Sequence, residues 1–172
     1  MLIPVLQTER LTMRALTLED FEPYAALHGH ADVMRYVTPD QQPLSRMDCF
    51  TRLCTAIGHW ELRGYGRWAV ADKSTGAFLG VVGLYYPEGW PDLEVTWAIS
   101  PQHWGKGYAV EAAKASMDYA FHVLARAHVI SLIHPDNKPS VRVAEQLGEA
   151  LEGEFERKGQ PLLIYGRNNP KR

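Results

Sequence analysis

The stretch from Leu93 to Leu124 constrains this chain more than any other. Leu93, Val95, Trp97 and Ile99 alternate strictly with Glu94, Thr96 and Ala98, the two-residue period of a strand. A glycine-rich turn follows, Trp104-Gly105-Lys106-Gly107, and at Tyr108 the period becomes that of a helix. Val110, Ala113, Met117, Ala120, Phe121 and Leu124 then share one face, and Glu111 sits in the first turn, where it complements the helix dipole. A strand that feeds a helix through a glycine turn belongs to a mixed architecture of sheet and helices.

The rest of the chain agrees. Thr8 to Arg14 reads as a first strand, with Leu11 and Met13 on one face. Thr17 with Asp20, and Ser45 with Asp48, carry the helix-start signature of a hydroxyl followed three residues later by an acid. Two stripes at helical spacing follow these starts: Leu18, Phe21, Tyr24, Ala25 and His28, then Met47, Phe50, Leu53, Cys54, Ile57 and Trp60. Arg67 to Ala71 and Ala77 to Tyr85 read as strands around a turn. His128 to His134 holds a near-continuous apolar run, which suits a strand buried on both faces and parallel to its neighbour. Pro139 to Leu147 is a short helix between Asn137 and Gly148. Glu152 to Arg157 and Leu162 to Gly166 make a closing hairpin. The fold class is α+β (mixed α/β), and with no repeat or long linker the 172 residues form one domain.

An apolar fraction of 46% and a net charge of −2 exclude intrinsic disorder and argue against a general nucleic-acid-binding surface. No window offers the roughly 20 apolar residues of a membrane span. Met1 to Gln7 lacks the basic segment and the length of a signal peptide. Cys49 and Cys54 fit neither a disulfide scaffold nor a zinc pattern. About 140° apart on a helix, they read as two reduced core thiols of a cytoplasmic protein.

The turn before Tyr108 is the densest chemical signal. The first amides of a helix have no partners within it, and glycines let backbone approach a ligand closely, which together suit a phosphate or pyrophosphate. Two phosphate motifs fail here. A Walker loop needs Ser or Thr after the lysine, and Lys106 is followed by Gly107; a dinucleotide fingerprint needs a third glycine, and position 110 is Val.

The run Glu94-Val95-Thr96-Trp97-Ala98-Ile99, with Trp104-Gly105-Lys106-Gly107-Tyr108-Ala109-Val110-Glu111, resembles the cofactor motif of the GNAT acyl-CoA N-acyltransferase superfamily. More narrowly, it resembles the branch of ribosomal-protein N-terminal acetyltransferases. Thr8-Glu9-Arg10-Leu11, Tyr119-Ala120-Phe121, Asp136-Asn137-Lys138-Pro139-Ser140 and Leu147-Gly148 agree in order and spacing, so the resemblance spans nearly the whole chain. It implies a single N-acetyltransferase domain, residues 1–172, built as a strongly twisted mixed sheet of about seven strands flanked by about four helices. Two neighbouring parallel strands, here Leu93–Ile99 and His128–His134, splay apart, and acetyl-CoA enters the gap. By resemblance, backbone at Trp97 and Ile99 pairs with the pantetheine arm. The pyrophosphate rests on amides of Trp104, Gly105, Lys106, Gly107, Tyr108 and Ala109, and Asn137 and Ser140 face the cofactor from the other side. The family motif fits in two registers, Gln102-x-x-Gly105-x-Gly107 and Trp104-x-x-Gly107-x-Ala109; the second starts closer to the helix. No metal is implied.

Amide formation needs a neutral amine, yet a lysine-like amine has a pKa near ~10.4 and an α-amine near ~7.7–8.0. Something must accept a proton, and something must protonate the departing thiolate. The resemblance assigns the base to Glu94, acting through water, and the acid to Ser140. On alternation alone Glu94 is a charge on the polar face opposite Leu93 and Val95, and Ser140 is a first-turn helix residue. His103 and His134 flank the expected cleft as reserve bases. His28-Gly29-His30 lacks a third metal ligand nearby, and neither cysteine sits near the loop, so transfer is expected to be direct.

Two departures from the family pattern stand out. Glu149 replaces an aromatic after Leu147-Gly148, and the segment Gln160 to Ile164 lacks an Asp often found there. Both fall on the acceptor side, which a chain of this length is expected to build from its first two helices and its closing hairpin, unless a partner subunit contributes. Trp60, Trp68 and Trp90 are candidates to line that pocket. The acceptor is an amine of a peptide N-terminus or of a small molecule such as a polyamine or aminoglycoside, handled by a monomer or homodimer. The competing readings are a non-catalytic CoA-binding regulatory module and an unrelated anion-binding protein.

Overall fold

The computed structural model describes residues 2–171. One eight-stranded sheet runs in the order β1-β2-β3-β4-β5-β6-β8-β7. Its strands are β1 (Leu6–Gln7), β2 (Leu11–Arg14), β3 (Arg67–Asp72), β4 (Phe78–Tyr85), β5 (Glu94–Ile99), β6 (His128–Ile133), β7 (Ala150–Arg157) and β8 (Gln160–Asn168). The α-helices are α1 (Phe21–His28), α2 (Ala31–Met34), α3 (Arg46–Arg63), α4 (Tyr108–His122) and α5 (Lys138–Gln146). Every neighbouring strand pair is antiparallel except β5 and β6.

The class and element order match the sequence reading, with two additions. β1 and α2 have two and four residues, too few to complete a hydrophobic period. The first long strand begins at Leu11, three residues later than expected. Thr8 and Leu11 close a turn on each other, the Thr8 N–H reaching the Leu11 carbonyl at 3.0 Å and the Leu11 N–H the Thr8 hydroxyl at 3.0 Å.

Side-chain alternation sorts the core into two layers. Trp68, Val70, Val82, Leu84, Leu93 and Val95 pack against Ala112, Ala113, Met117 and Ala120 of α4. Ala69 and Val81 turn to the opposite face, where Tyr24 and Leu27 of α1 and Leu53 and Ala56 of α3 cover them. Trp60 and Trp68, expected as pocket residues, are core instead, 1% and 0% exposed and edge-to-face at 4.9 Å.

α3 starts where the serine signature placed it. The Ser45 hydroxyl accepts the Asp48 N–H at 3.1 Å, and Gly64, at φ 76°, closes the far end with its N–H on the Trp60 carbonyl. Cys49 faces the core from this helix, but Cys54 is exposed, which corrects the reading of two core thiols. Five residues carry a side chain past the edge of a helix's buried stripe. No helix among the described residues is long and apolar enough to cross a membrane.

Candidate active site

The parallel pair at the centre of the sheet is joined at a single position, Glu94 opposite Ile130. There the Ile130 N–H reaches the Leu93 carbonyl at 2.9 Å, so odd-numbered residues of β5 turn their backbone groups toward β6. Even-numbered positions turn toward β4, as the Ser100 N–H does on the Leu79 carbonyl at 2.8 Å. Beyond Glu94 the ladder stops, and the backbone of Trp97 and Ile99 points into a gap. The Ile99 carbonyl is met there by the Trp104 indole N–H at 2.6 Å.

Side chains prop the gap open. At its narrow end the Ser131 hydroxyl donates to the Val95 carbonyl at 2.9 Å and lies 3.0 Å from a Glu149 carboxyl oxygen. A hydroxyl has one proton, already given to Val95, so the Glu149 link needs a proton on the carboxyl. Burial supplies it: Glu149 is 5% exposed, and desolvation pushes its pKa up to about 8, with help from nearby Glu94. Further out the Trp97 indole N–H reaches the Ser140 hydroxyl at 3.3 Å, spanning from β5 to the first turn of α5. Asn137 caps that helix, its side-chain oxygen accepting the Ser140 N–H at 3.3 Å.

Glu94 lies on the face opposite Val95, as alternation required, but α3 and the segment after α2 cover that face and leave Glu94 only 8% exposed. The solvated-charge reading is therefore wrong. Its carboxylate accepts the Trp90 indole N–H at 2.8 Å. Burial raises its pKa, opposed by the Trp90 and Leu132 N–H groups and by Arg157 and Arg67. A carboxyl held this way is closer to proton exchange at neutral pH than a surface one.

Around Glu94 opens a cavity of about 150 Å³ that also receives Trp97, Asn137 and Ser140. His134 lines it and stacks on Tyr36 at 5.1 Å. His103 does not line it and sits beside Tyr108, ring centroids 6.4 Å apart. Of the three candidate tryptophans only Trp90 reaches the cavity. Sequence reasoning missed Tyr36, Arg52, Arg67, Tyr85 and Arg157, which complete the lining. One of them carried a signal. Arg52 falls between Cys49, Leu53 and Ala56, on the buried side of α3, where a charge needs a reason.

The glycine turn lies at the wide end of the gap. Gly105 and Gly107 are left-handed, at φ 74° and 80°, and Gly107 is the residue before the first turn of α4. The first amide bonded within the helix is that of Glu111, to the Gly107 carbonyl at 3.1 Å. The amides of Tyr108, Ala109 and Val110 precede it at the dipole's positive end. A β-carbon on Gly105 would meet nothing within 4 Å, so the turn presents open backbone. Glu111 tethers the turn to the N-terminal segment: it accepts from the Thr8 hydroxyl at 2.6 Å and from the Arg10 guanidinium at 2.7 Å, while Arg10 also holds the Lys106 carbonyl at 2.9 Å. These groups fit an acyl-CoA pyrophosphate: free amides, left-handed glycines and no carboxylate pointing outward. The described residues contain no cluster of three or more His, Cys, Asp or Glu that would hold a metal ion.

A gap between two parallel strands, with helix-start amides at its mouth, is the arrangement of acyl-CoA transferases, and comparison with known proteins agrees. Residues 10–149 match the acetyltransferase (GNAT) domain family. This chain belongs to the GNAT acetyltransferases and is an acyltransferase enzyme. It is 31% identical to the uncharacterized protein YkkB of Bacillus subtilis over 169 residues, 95% of each chain. An acetyltransferase structure from Agrobacterium tumefaciens superposes with a TM-score of 0.82 at 31% identity, covering 96% of this chain and 95% of that one. The spermidine N-acetyltransferase of Vibrio cholerae, solved with CoA and spermine, shares the fold at a TM-score of 0.76 and 23% identity, over 95% of this chain and 98% of its own.

Proposed function

We propose that the chain is an acetyl-CoA-dependent N-acetyltransferase that moves the acetyl group directly onto a primary amine. The observation that carries this reading is the convergence on one gap of the Trp97 backbone, the buried Glu94 carboxyl and the Ser140 hydroxyl. The Trp104 N–H is already taken by the Pro101 carbonyl at 3.1 Å, which corrects its expected place among the pyrophosphate donors. The amides from Gly105 to Ala109 hold the pyrophosphate, and backbone at Trp97 and Ile99 pairs with the pantetheine arm. The Ile99 carbonyl is spoken for by Trp104, so Trp97 and the Ile99 N–H carry that pairing.

The chemistry follows from where the protons sit. An ammonium ion enters, and Glu94, directly or through one water, removes a proton so that the nitrogen lone pair is free. Nitrogen forms the new C–N bond, and charge developing on the thioester oxygen is met by a backbone N–H of the open β5 edge. The C–S bond breaks. Of the two protons the nitrogen loses, one ends on sulfur and the other in solvent. Ser140 is suited to deliver the first: its oxygen accepts from Trp97, which leaves its own proton to donate.

A thiol-release assay with acetyl-CoA and a panel of peptide and small amines tests the reading. Turnover that falls in Glu94→Gln with the alkaline shift of a missing base supports it. Tight acetyl-CoA binding without thiol release for any amine would leave a non-catalytic module.

A further inference from the structure

Three guanidinium groups line one cavity that holds a single carboxyl, Glu94. Arg52 comes from α3, Arg67 from the start of β3 and Arg157 from the end of β7. Arg67 is 6% exposed. All three carry an Nε that is buried and has no hydrogen-bond partner. Among the described residues none of them joins an ion pair. Their other contacts are uncharged: Arg67 lies over the Tyr85 ring at 4.7 Å, and Arg157 donates to the Val37 carbonyl and to the Gln160 side chain at 2.7 Å. Burial, and then the neighbouring Arg67 charge, lower the Arg52 pKa, so the cluster repels itself.

Glu94 is the one acidic residue in the cavity lining, and it is engaged by Trp90. Even fully ionised it leaves two positive charges in excess. Charges withdrawn from water and left unpaired are costly, and are retained where something pairs them.

We infer that this cluster selects the acceptor: a small anionic amine, its carboxylate resting on Arg52, Arg67 and Arg157 and its amino nitrogen beside Glu94. This rests on the acetyltransferase reading above. Guanidinium forks match a carboxylate with two parallel hydrogen bonds, and Arg52, Arg67 and Arg157 all line the cavity. The cavity's 150 Å³ is below the roughly 300–1,000 Å³ of drug-sized ligand sites, which suits an amino-acid-sized acceptor. A polyamine, with a cationic centre at every nitrogen, meets like charge here. An aminoglycoside brings the same charge with more bulk.

The test compares matched acceptors in the thiol-release assay. Glycine, glutamate and phenylalanine are each set against their own carboxamide, alongside aminomethylphosphonate, spermidine and a peptide with a neutral first residue. The expected result is a kcat/KM at least tenfold higher for the best acid than for its amide, with no turnover of spermidine. In Arg157→Gln that ratio falls toward one. Equal turnover of acid and amide, or turnover confined to spermidine or the peptide, overturns the inference. A phosphonate preferred over glycine by tenfold would move the anion class from carboxylate to phosphate and so overturn the carboxylate assignment.

A second measurement needs neither a variant nor turnover. Succinate is titrated into the CoA-saturated protein while the arginine Nε–H resonances are followed by NMR. Saturable shifts that succinamide does not reproduce support the anion site, and unmoved resonances refute it. Succinate binding with no amine turned over would strike the enzymatic reading and leave the anion site standing.

Discussion

Replacing Glu149 by Gln isolates the proton that props the sheet. Glutamine keeps the shape and supplies an N–H where the protonated carboxyl has its O–H, so the link through Ser131 to Val95 survives. What disappears is the titration. Glu149 ionises at about 8 when folded and near 4.5 when not. Its folded pKa is raised, so its contribution is complete below pH 4.5 and is lost as pH climbs through 8. Between those limits the folded chain holds one more proton than the unfolded one, worth up to about 1.4 kcal/mol per pH unit and at most about 5 kcal/mol in all. Urea denaturation of wild type and Glu149→Gln from pH 5 to 8.5 measures this. Groups that do not act on Glu149 are common to both proteins and cancel in the difference; Glu94, which helps raise the Glu149 pKa, is controlled by repeating the comparison in Glu94→Gln. The variant should gain on wild type steadily, by roughly 3–4 kcal/mol from pH 5 to 8. Parallel stability curves would show that Glu149 is already ionised in the folded protein, and the account of the prop would be wrong.

The catalytic residues and the loop offer further tests. Glu94→Gln should lower kcat by roughly 10²- to 10⁴-fold, the usual range for a general base, and erase the acid limb of the pH–rate profile. Trp90→Phe removes an N–H that favours the Glu94 carboxylate, so the same limb should move to higher pH; a profile unchanged in position would detach Trp90 from the base. Gly105→Ala meets no steric obstacle but forces a left-handed φ, costing roughly 1 kcal/mol in melting experiments and raising the KM for acetyl-CoA more than it lowers kcat. A thiol reagent should modify Cys54 rapidly and Cys49 only on unfolding, because Cys54 is exposed while burial both shields Cys49 and raises its pKa.

What could be read from the sequence was local. The strand, turn and helix from Leu93 to Leu124 announce themselves because a change of hydrophobic period falls on consecutive residues. Asn137 and Gly148 bracket α5 for the same reason: a cap acts on its own neighbours. The acceptor wall was invisible because Arg52, Arg67 and Arg157 are brought together by α3, β3 and β7, with nothing periodic linking them. Glu94 shows the limit of alternation. Its face was legible, but whether that face meets water depends on where α3 lands, and α3 carries no mark of its destination. Glu149 looked like a departure from a pattern because its partner, Ser131, lies on a strand eighteen residues away.

The lone bridge between β5 and β6 divides the sheet into two antiparallel ribbons, β1 to β5 and β6-β8-β7. Each ribbon has its own ladder, and the two are sewn together by one residue pair and a few side chains. Opening along this seam undoes one registered position, where the adjoining β4–β5 and β6–β8 pairs each hold six. A molecule laid against the free edge of β5 acts as the absent stitch. Its binding energy therefore becomes cohesion between the ribbons, rising with concentration as mass action requires. On the proposed assignment the cofactor fills that seam at every turnover, in room that the short ladder leaves.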